Sequence, residues 1–328
     1  MMSQFLSLFN NAIVFGTVIL FGALGEIITQ KSGNLNLGVP GIMFLGGIAG
    51  LATAFFYEMH AAEPIGVVSL LLSFIAAFIA AGLGGLIYSF LTITLRANQN
   101  VTGLTLTIFG SGLANLFGGS LNSLAGGVGQ ISVSLTSKAY RAYFPALANL
   151  GAVGKAFFSY GFMAYLAIVL ALLTAWFLNR SRVGLNLRAV GESPATADAA
   201  GINVTKYKYL ATCIGAGISG FGGLYYAMDY IKGTWSTDGT IEALGWLAVA
   251  LVIFATWKPA RAIWSAYLFG ILYWAYNYIS GLSRASVELF KMLPYVVTIV
   301  VLMVVSLRHS KDSQPPASLG LSYFREER

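Results

Sequence analysis

Apolar residues run along this chain in long blocks separated by short polar stretches. A membrane-crossing helix needs about 20 mostly apolar residues. Nine blocks meet or approach that length: 12–29, 38–57, 65–92, 101–121, 157–179, 207–228, 241–257, 260–281 and 290–307. The pattern predicts an all-α, polytopic transmembrane helical bundle of nine or ten spans. One transmembrane domain covers 1–307 and a tail covers 308–328. Block 65–92 is long enough to tilt or break. The glycine-rich stretch 122–156 has room for a short or re-entrant helix.

Composition agrees with the pattern. Of 328 residues, 57% are hydrophobic and 9% are charged, against roughly 25% charged in soluble domains. The net charge is +7, but no basic cluster interleaved with aromatics points to nucleic acid. The single cysteine, Cys213, lies inside an apolar block, so no disulfide framework is expected. Residues 1–11 carry no Lys or Arg, so no cleaved signal peptide is expected. Glycine is abundant, at 38 residues, as close helix packing in lipid favours small side chains. Gly46 and Gly50 give one GxxxG spacing, read as ordinary packing rather than as a dimer seam.

Charge sets the expected orientation. If loop 180–206 faces the cytoplasm, the outside regions hold Lys138, Arg141, Lys155, Lys232, Arg284 and Lys291. The other 13 of the 19 basic residues then lie inside, as the positive-inside rule requires. The chain starts outside and the tail 308–328 is cytoplasmic.

Within that cytoplasmic loop lies GESPATADAAG, residues 191–201. It reads as a short helix with both ends specified. Ser193 is an N-cap, Pro194 suits the first helical position, and Gly201 can close the helix left-handed. So short a helix is marginal alone, so something must hold it. Anchoring to lipid headgroups is one reading. Its face is mostly alanine, however, which suits close docking into a protein groove better than lipid insertion.

Two stretches place amides where lipid does not want them. SGNLNLGVPG (32–41) carries Asn34 and Asn36; RANQNVTG (96–103) carries Asn98, Gln99 and Asn100. One reading is two cytoplasmic turns with capping asparagines. The other is a pair of broken helices lining a polar substrate pathway, as irregular backbone at membrane depth permits. Glu26 is the best candidate for a charge within a span. No span carries a chain of acidic, His or Arg residues that would relay protons, which counts against an ion-coupled carrier.

Two motifs mislead. GAVGKA (151–156) lacks the first glycine of a phosphate loop, having Asn149 there, and lacks the Ser or Thr after Lys155. GISG (217–220) resembles an intramembrane serine-protease motif, but the only histidines, His60 and His309, lie near span ends. Small-residue packing explains it better. No cluster has metal-ligand spacing.

Three stretches together resemble the membrane permeases of ABC importers for branched-chain amino acids, ribose-type sugars and nucleosides. GEIITQKSGNLNLGVPGIMFLGG matches the family's N-terminal motif at Asn36-Leu37-Gly38, with Pro40 in place of the usual Glu. GLNLRAVGESPATADAAGINV (184–204) is close to its cytoplasmic coupling segment. GWLAVALVIFATWKPARAIWSAYLFG (245–270) carries Ala255 and Arg261 where the family often has glycine. The tail PPASLGLSYFREER is similar to the nucleoside-type branch.

The resemblance implies a transport subunit of the bacterial cytoplasmic membrane, not an enzyme. It implies that 193–201 is a coupling helix, with Gly191, Glu192, Ser193, Pro194, Ala195, Ala197, Asp198 and Gly201 at the contact with a partner ATPase. That ATPase, duplicated in the nucleoside branch, would hold ATP and Mg; this chain would bind no cofactor. The other implied partners are a second, homologous permease, an extracytoplasmic substrate-binding lipoprotein and membrane lipid. A neutral nucleoside suits amide-rich cavity edges; a ribose-type sugar or branched-chain amino acid is the alternative within the family. A secondary carrier acting alone is the alternative outside it.

Overall fold

In a computed structural model, the described residues are 2–124, 131–143, 151–236, 239–279, 281–308 and 314–324. They form thirteen α-helices and no strand. The first group is α1 (Met2–Lys31), α2 (Val39–His60), α3 (Gly66–Ser89), α4 (Gln99–Leu124), α5 (Ser134–Tyr140) and α6 (Gly151–Phe157). Then come α7 (Phe162–Arg180), α8 (Arg182–Glu192), α9 (Pro194–Ala199) and α10 (Val204–Tyr225). The last are α11 (Thr240–Phe254), α12 (Pro259–Trp274) and α13 (Arg284–Arg308).

Each of the nine apolar blocks contains a helix. Six helical stretches are long and apolar enough to cross a bilayer unaided: Leu6–Lys31, Val39–His60, Gly66–Thr94, Gln99–Leu124, Phe162–Arg180 and Arg284–Val304. The other three are special for physical reasons. α10 is rich in glycine and buried in the core, so it needs little hydropathy of its own. α11 and α12 have 15 and 16 residues. At 1.5 Å per residue each is roughly 23 Å long, short of a bilayer core of about 30 Å. They are joined by a tight turn in which Thr256 and Trp257 both adopt left-handed backbone, with φ of 52° and 54°.

α1 is the central element. Every residue from Phe15 to Gln30 is buried. Around it pack α10, α12, α11 and α7, while α10 also lies against α2 and α3, and α2 against α4. A helix apolar on all sides belongs inside a bundle. α3 and α13 are its opposite, exposing Leu71, Ile75, Ile79 and Leu83 on one and Met292, Val296, Ile299 and Met303 on the other.

Small residues make the central crossings. A methyl on Gly25 would overlap the Gly215 carbonyl oxygen, and one on Gly223 the Met43 carbonyl. Gly46 lies against Gly220. The GxxxG pair is therefore packed within the chain, as is GISG. Ser219 Oγ donates to the Gly22 carbonyl at 3.1 Å, fully buried. In stretch 122–156, two short helices appear, α5 and α6; residues 125–130 and 144–150 lie outside the described ones. α5 is anchored from both sides. The Thr136 N–H donates to Glu58 of α2 at 2.8 Å, and Ser137 Oγ donates to the Met228 carbonyl at 2.8 Å.

Block 65–92 is a single long helix, continued from Phe90 to Thr94 in π geometry. The predicted interruptions at 32–41 and 96–103 are connections between helices. α1 stops at Lys31 before α2 begins at Val39, and α4 begins at Gln99. Helical geometry breaks elsewhere: after α10, where Tyr226–Tyr230 is π-helical, and after α12, where Ala275–Tyr278 is 3₁₀.

The crossing geometry gives a test. Gly223→Ala is expected to cost about 1–3 kcal/mol, typical of overpacking, and to lower the melting temperature of the detergent-purified protein. Gly112→Ala meets nothing within 4 Å and should melt no lower than the parent. Equal melting of both variants would contradict the close crossing.

Candidate functional site

Connection 32–38 is the first part of the site. Ser32, Gly33, Asn34, Asn36 and Gly38 are all buried, and buried backbone must find partners. The Leu35 N–H donates to Gln99 Oε1 at 2.7 Å, and the Leu35 carbonyl accepts from Tyr88 at 2.6 Å. The Asn36 N–H donates to Glu26 Oε1 at 3.1 Å. The Leu37 carbonyl accepts from Thr107 at 3.1 Å. Asn36 Oδ1 accepts from the Gly38 N–H at 2.8 Å, a local turn that launches α2. Glu26 is 1% exposed and also accepts from Gln30 Nε2 at 2.8 Å. Gln30 Oε1 accepts from Trp257 Nε1 at 2.5 Å. A line of hydrogen bonds thus runs from the strained α11–α12 turn through α1 to the connection.

The five predicted pathway residues are not brought together. Asn34 and Gln99 line a cavity of about 620 Å³ together with Arg96, Asp198, Lys208 and Tyr323. Asn34 Nδ2 donates to Thr212 at 2.9 Å, while its buried Oδ1 has no partner. Asn36 is turned into its own backbone. Asn98 is exposed and caps α4, accepting from the Val101 N–H at 3.1 Å. Asn100 is exposed and outside the cavity. For Asn36 and Asn98 the capping reading describes the geometry, because an amide at a helix start satisfies the nearest orphan N–H first.

The second part is 181–203. Ser181 caps α8, accepting from the Gly184 N–H at 2.9 Å. Ser193 caps α9, accepting from the Thr196 N–H at 3.4 Å, with Pro194 in the first turn. Gly201 has φ +83°, and the Ile202 N–H returns to the Ala197 carbonyl at 3.0 Å. Both ends of this short helix are therefore fixed as its residues predict. It covers the small cluster of Val190, Ala197 and Val204. Glu192, Ala195, Thr196 and Ala199 are left exposed. Gly191 is pressed against the Lys31 carbonyl, so that no side chain fits there. The segment is thereby tied to the end of α1.

The third part went unread in the sequence. Residues 314–324 of the tail fold back across both other parts. Ser318 donates to the Gly191 carbonyl through N–H (3.0 Å) and Oγ (2.6 Å). The Ala317 N–H donates to Glu192 Oε2 at 3.2 Å, and the Gly320 N–H to the Gly33 carbonyl at 3.1 Å. Tyr323 donates to Asp198 Oδ2 at 2.9 Å, and the Arg96 guanidinium lies 4.4 Å from the Phe324 ring centre. Asp198 thus faces the tail rather than open solvent. The readable signal was Leu319, Leu321, Tyr323 and Phe324, apolar and aromatic residues in an otherwise polar tail. Lys208 is a second omission: 3% exposed, it lines the cavity beside Arg96 and Lys206.

Comparison with known proteins places these features in a family. Residues 8–302 match the family described as "Branched-chain amino acid transport system / permease component". The chain is 33% identical to the putative glucose ABC transporter permease protein TsgC13 of Haloferax volcanii, over 99% of each chain. It is 30% identical to the nucleoside ABC transporter permease protein NupC of Lactococcus lactis subsp. cremoris, over 97% of this chain and 96% of that one. It is also 30% identical to the guanosine ABC transporter permease protein NupQ of Bacillus subtilis, over 96% of each.

Two substitutions test the site's construction. Asn36→Ala leaves the buried Gly38 N–H without its acceptor and is expected to destabilise the protein by about 1–3 kcal/mol; Asn98→Ala, at an exposed cap, should cost about 1 kcal/mol or less. Thermal melting in detergent checks the order, and the reverse order would refute it. Tyr323→Phe is expected to speed proteolytic loss of a C-terminal epitope severalfold, since one bond of about 1 kcal/mol is removed. An unchanged rate would mean that the Asp198 contact does not hold the tail.

Proposed function

The chain belongs to the family of permease components of branched-chain amino acid transport systems, and on that premise we propose that it carries a nucleoside inward, driven by ATP that a partner hydrolyses. Its family makes it an ABC transporter permease, a multi-pass protein of the inner membrane and a transport subunit rather than an enzyme. Family membership also brings an ATPase partner and a substrate-binding protein.

The observation that carries the coupling role is the geometry of 191–201. A helix that transmits movement must be rigid at both ends and flat on its outer face. α9 is capped at both ends, and Ala195, Thr196 and Ala199 present a face of small side chains. Behind it, Gly191 rests on the end of α1 and the tail bonds hold Gly191, Glu192 and Asp198. A push on this face reaches connection 32–38 through a few packed groups. In this reading the ATPase groove receives the face, and ATP binding and hydrolysis shift the equilibrium between outward- and inward-open states by differential contact.

Two full-length relatives named for a nucleoside and for guanosine support the substrate. A sugar is the second reading, favoured by the 33% relative named for glucose. A second, non-identical permease is the proposed partner.

Ala199→Arg places a cation on the exposed face of α9. It is expected to reduce ATP-dependent nucleoside uptake by the reconstituted complex at least tenfold, with unchanged membrane levels of this chain. Uptake equal to that of the parent would place the ATPase contact elsewhere. Uptake by this chain alone, driven by an ion gradient, would remove the ATPase from the reading.

A further inference from the structure

Far from the capped segment, two helices end in irregular turns beside one cavity, and a third helix there carries an internal proline. α10 passes into the π turn Tyr226–Tyr230, α12 into the 3₁₀ turn Ala275–Tyr278, and α13 contains Pro294. π turns often mark functional positions, and an internal proline removes a backbone bond. The cavity is about 440 Å³, within the range of about 300–1,000 Å³ that holds small organic ligands.

Its walls are aromatic: Phe15, Tyr230, Tyr273, Trp274, Tyr276 and Tyr295. The arrangement is ordered from behind. Phe15 is 1% exposed and stacks on Trp274, with ring centres 4.6 Å apart and planes at 21°. Tyr230 meets Phe15 edge-on at 4.7 Å and Trp274 edge-on at 6.2 Å. Tyr276 lies 6.4 Å from Trp274, with the Lys291 ammonium 5.8 Å from its ring centre. Phe15 therefore fixes the indole plane, while Trp274, Tyr230, Tyr273 and Tyr276 stay partly exposed.

We propose that this cavity is a nucleobase-stacking site on the substrate's route, with Trp274 and Tyr276 as the principal stacking surfaces and the Tyr295 hydroxyl as a polar partner. This rests on the nucleoside reading above and adds the place where the base is held. A flat heteroaromatic ring stacks on aromatic faces regardless of which base it is. The chemistry disfavours the other ligands of the family. A zwitterion needs opposite charges at its two ends, but among the described residues the only charged one in the lining is Lys291, whose ammonium pairs with Glu288 at 2.9 Å. A sugar can also lay its C–H face on an aromatic ring, but its several hydroxyls need more polar partners than a base does, and no carboxylate or amide lines the cavity among the described residues. The location fits delivery from outside. Phe15 is 16 residues before Lys31 on α1, roughly 24 Å along the helix at 1.5 Å per residue, toward the side opposite α9.

The experiment uses the complex of this chain with its second permease, ATPase and binding protein, reconstituted in liposomes. Uptake of labelled adenosine, with ribose as competitor, is measured for the parent, Trp274→Ala, Trp274→Phe and Tyr276→Ala. The parent is expected to take up adenosine. Trp274→Ala should raise its KM about tenfold to a hundredfold, Tyr276→Ala about fivefold or more, and Trp274→Phe less than about threefold. Photolabelling of the parent complex with 8-azidoadenosine does not depend on any variant folding, and should mark peptides containing Tyr230 or residues 273–276. Adenosine uptake by the parent, with KM within twofold in both alanine variants or with photolabel confined to other peptides, would overturn the stacking site and leave the nucleoside reading standing. Ribose uptake without adenosine uptake would overturn the nucleoside reading and the site with it.

Discussion

Connection 32–38 must bury its backbone inside the protein, and much of the fold answers that requirement. Buried away from water, irregular backbone is stable only where protein supplies a partner for each N–H and carbonyl. Here the partners come from five elements. For the backbone, α1 gives Glu26, α3 gives Tyr88, α4 gives Gln99 and Thr107, and the tail bonds Gly33, while α10 gives Thr212 to the Asn34 side chain. Each of these is a single polar group on an otherwise apolar or glycine-rich surface. The helices that carry them cannot slide independently without stranding a buried N–H or carbonyl, at a cost of about 1–3 kcal/mol each.

That constraint explains where strain is tolerated. Thr256 and Trp257 hold left-handed backbone, unusual for residues with side chains. The turn is braced by Trp257 Nε1 on Gln30 and by Arg261 donating to Thr256 Oγ1 at 2.8 Å. Arg261 thus has a structural task in this chain. Gln30 in turn is bonded to Glu26, which holds Asn36. The turn between the two short helices and connection 32–38 belong to one polar line through the centre of an apolar bundle.

The helical blocks were legible because span length and hydropathy are local properties. The ends of α9 were legible for the same reason, since Ser193, Pro194 and Gly201 act within four residues of themselves. The amides were read only in part. A sequence shows that Asn34, Asn36, Asn98 and Gln99 sit near helix starts, but not which of them turns inward. Asn36 and Asn98 cap locally, whereas Asn34 and Gln99 reach partners 178 and 64 residues away. Contacts at such separations leave no periodic trace. The tail is the same case: Tyr323 and Asp198 are 125 residues apart, and only the aromatic residues near its end hinted that it docks.

The two regions of interest lie at the end of α1 and about midway along it, and are built from opposite chemistry. At the first, capped helices, glycine contacts and backbone bonds fix small side chains in place, which suits a surface that receives force. At the other, two helices end in π and 3₁₀ turns and present aromatic faces, which suits a surface that must hold a ligand and release it. α1 joins them as a buried rod, with Phe15 behind the aromatic wall and Gln30, Lys31 and Gly33 under the capped segment and the tail. A rod packed on all sides by α7, α10, α11 and α12 bends little. Movement at one region must therefore be carried to the other by shifts between packed helices rather than by deformation within α1. The glycine crossings of α10 with α1 and α2 are where side chains obstruct such sliding least.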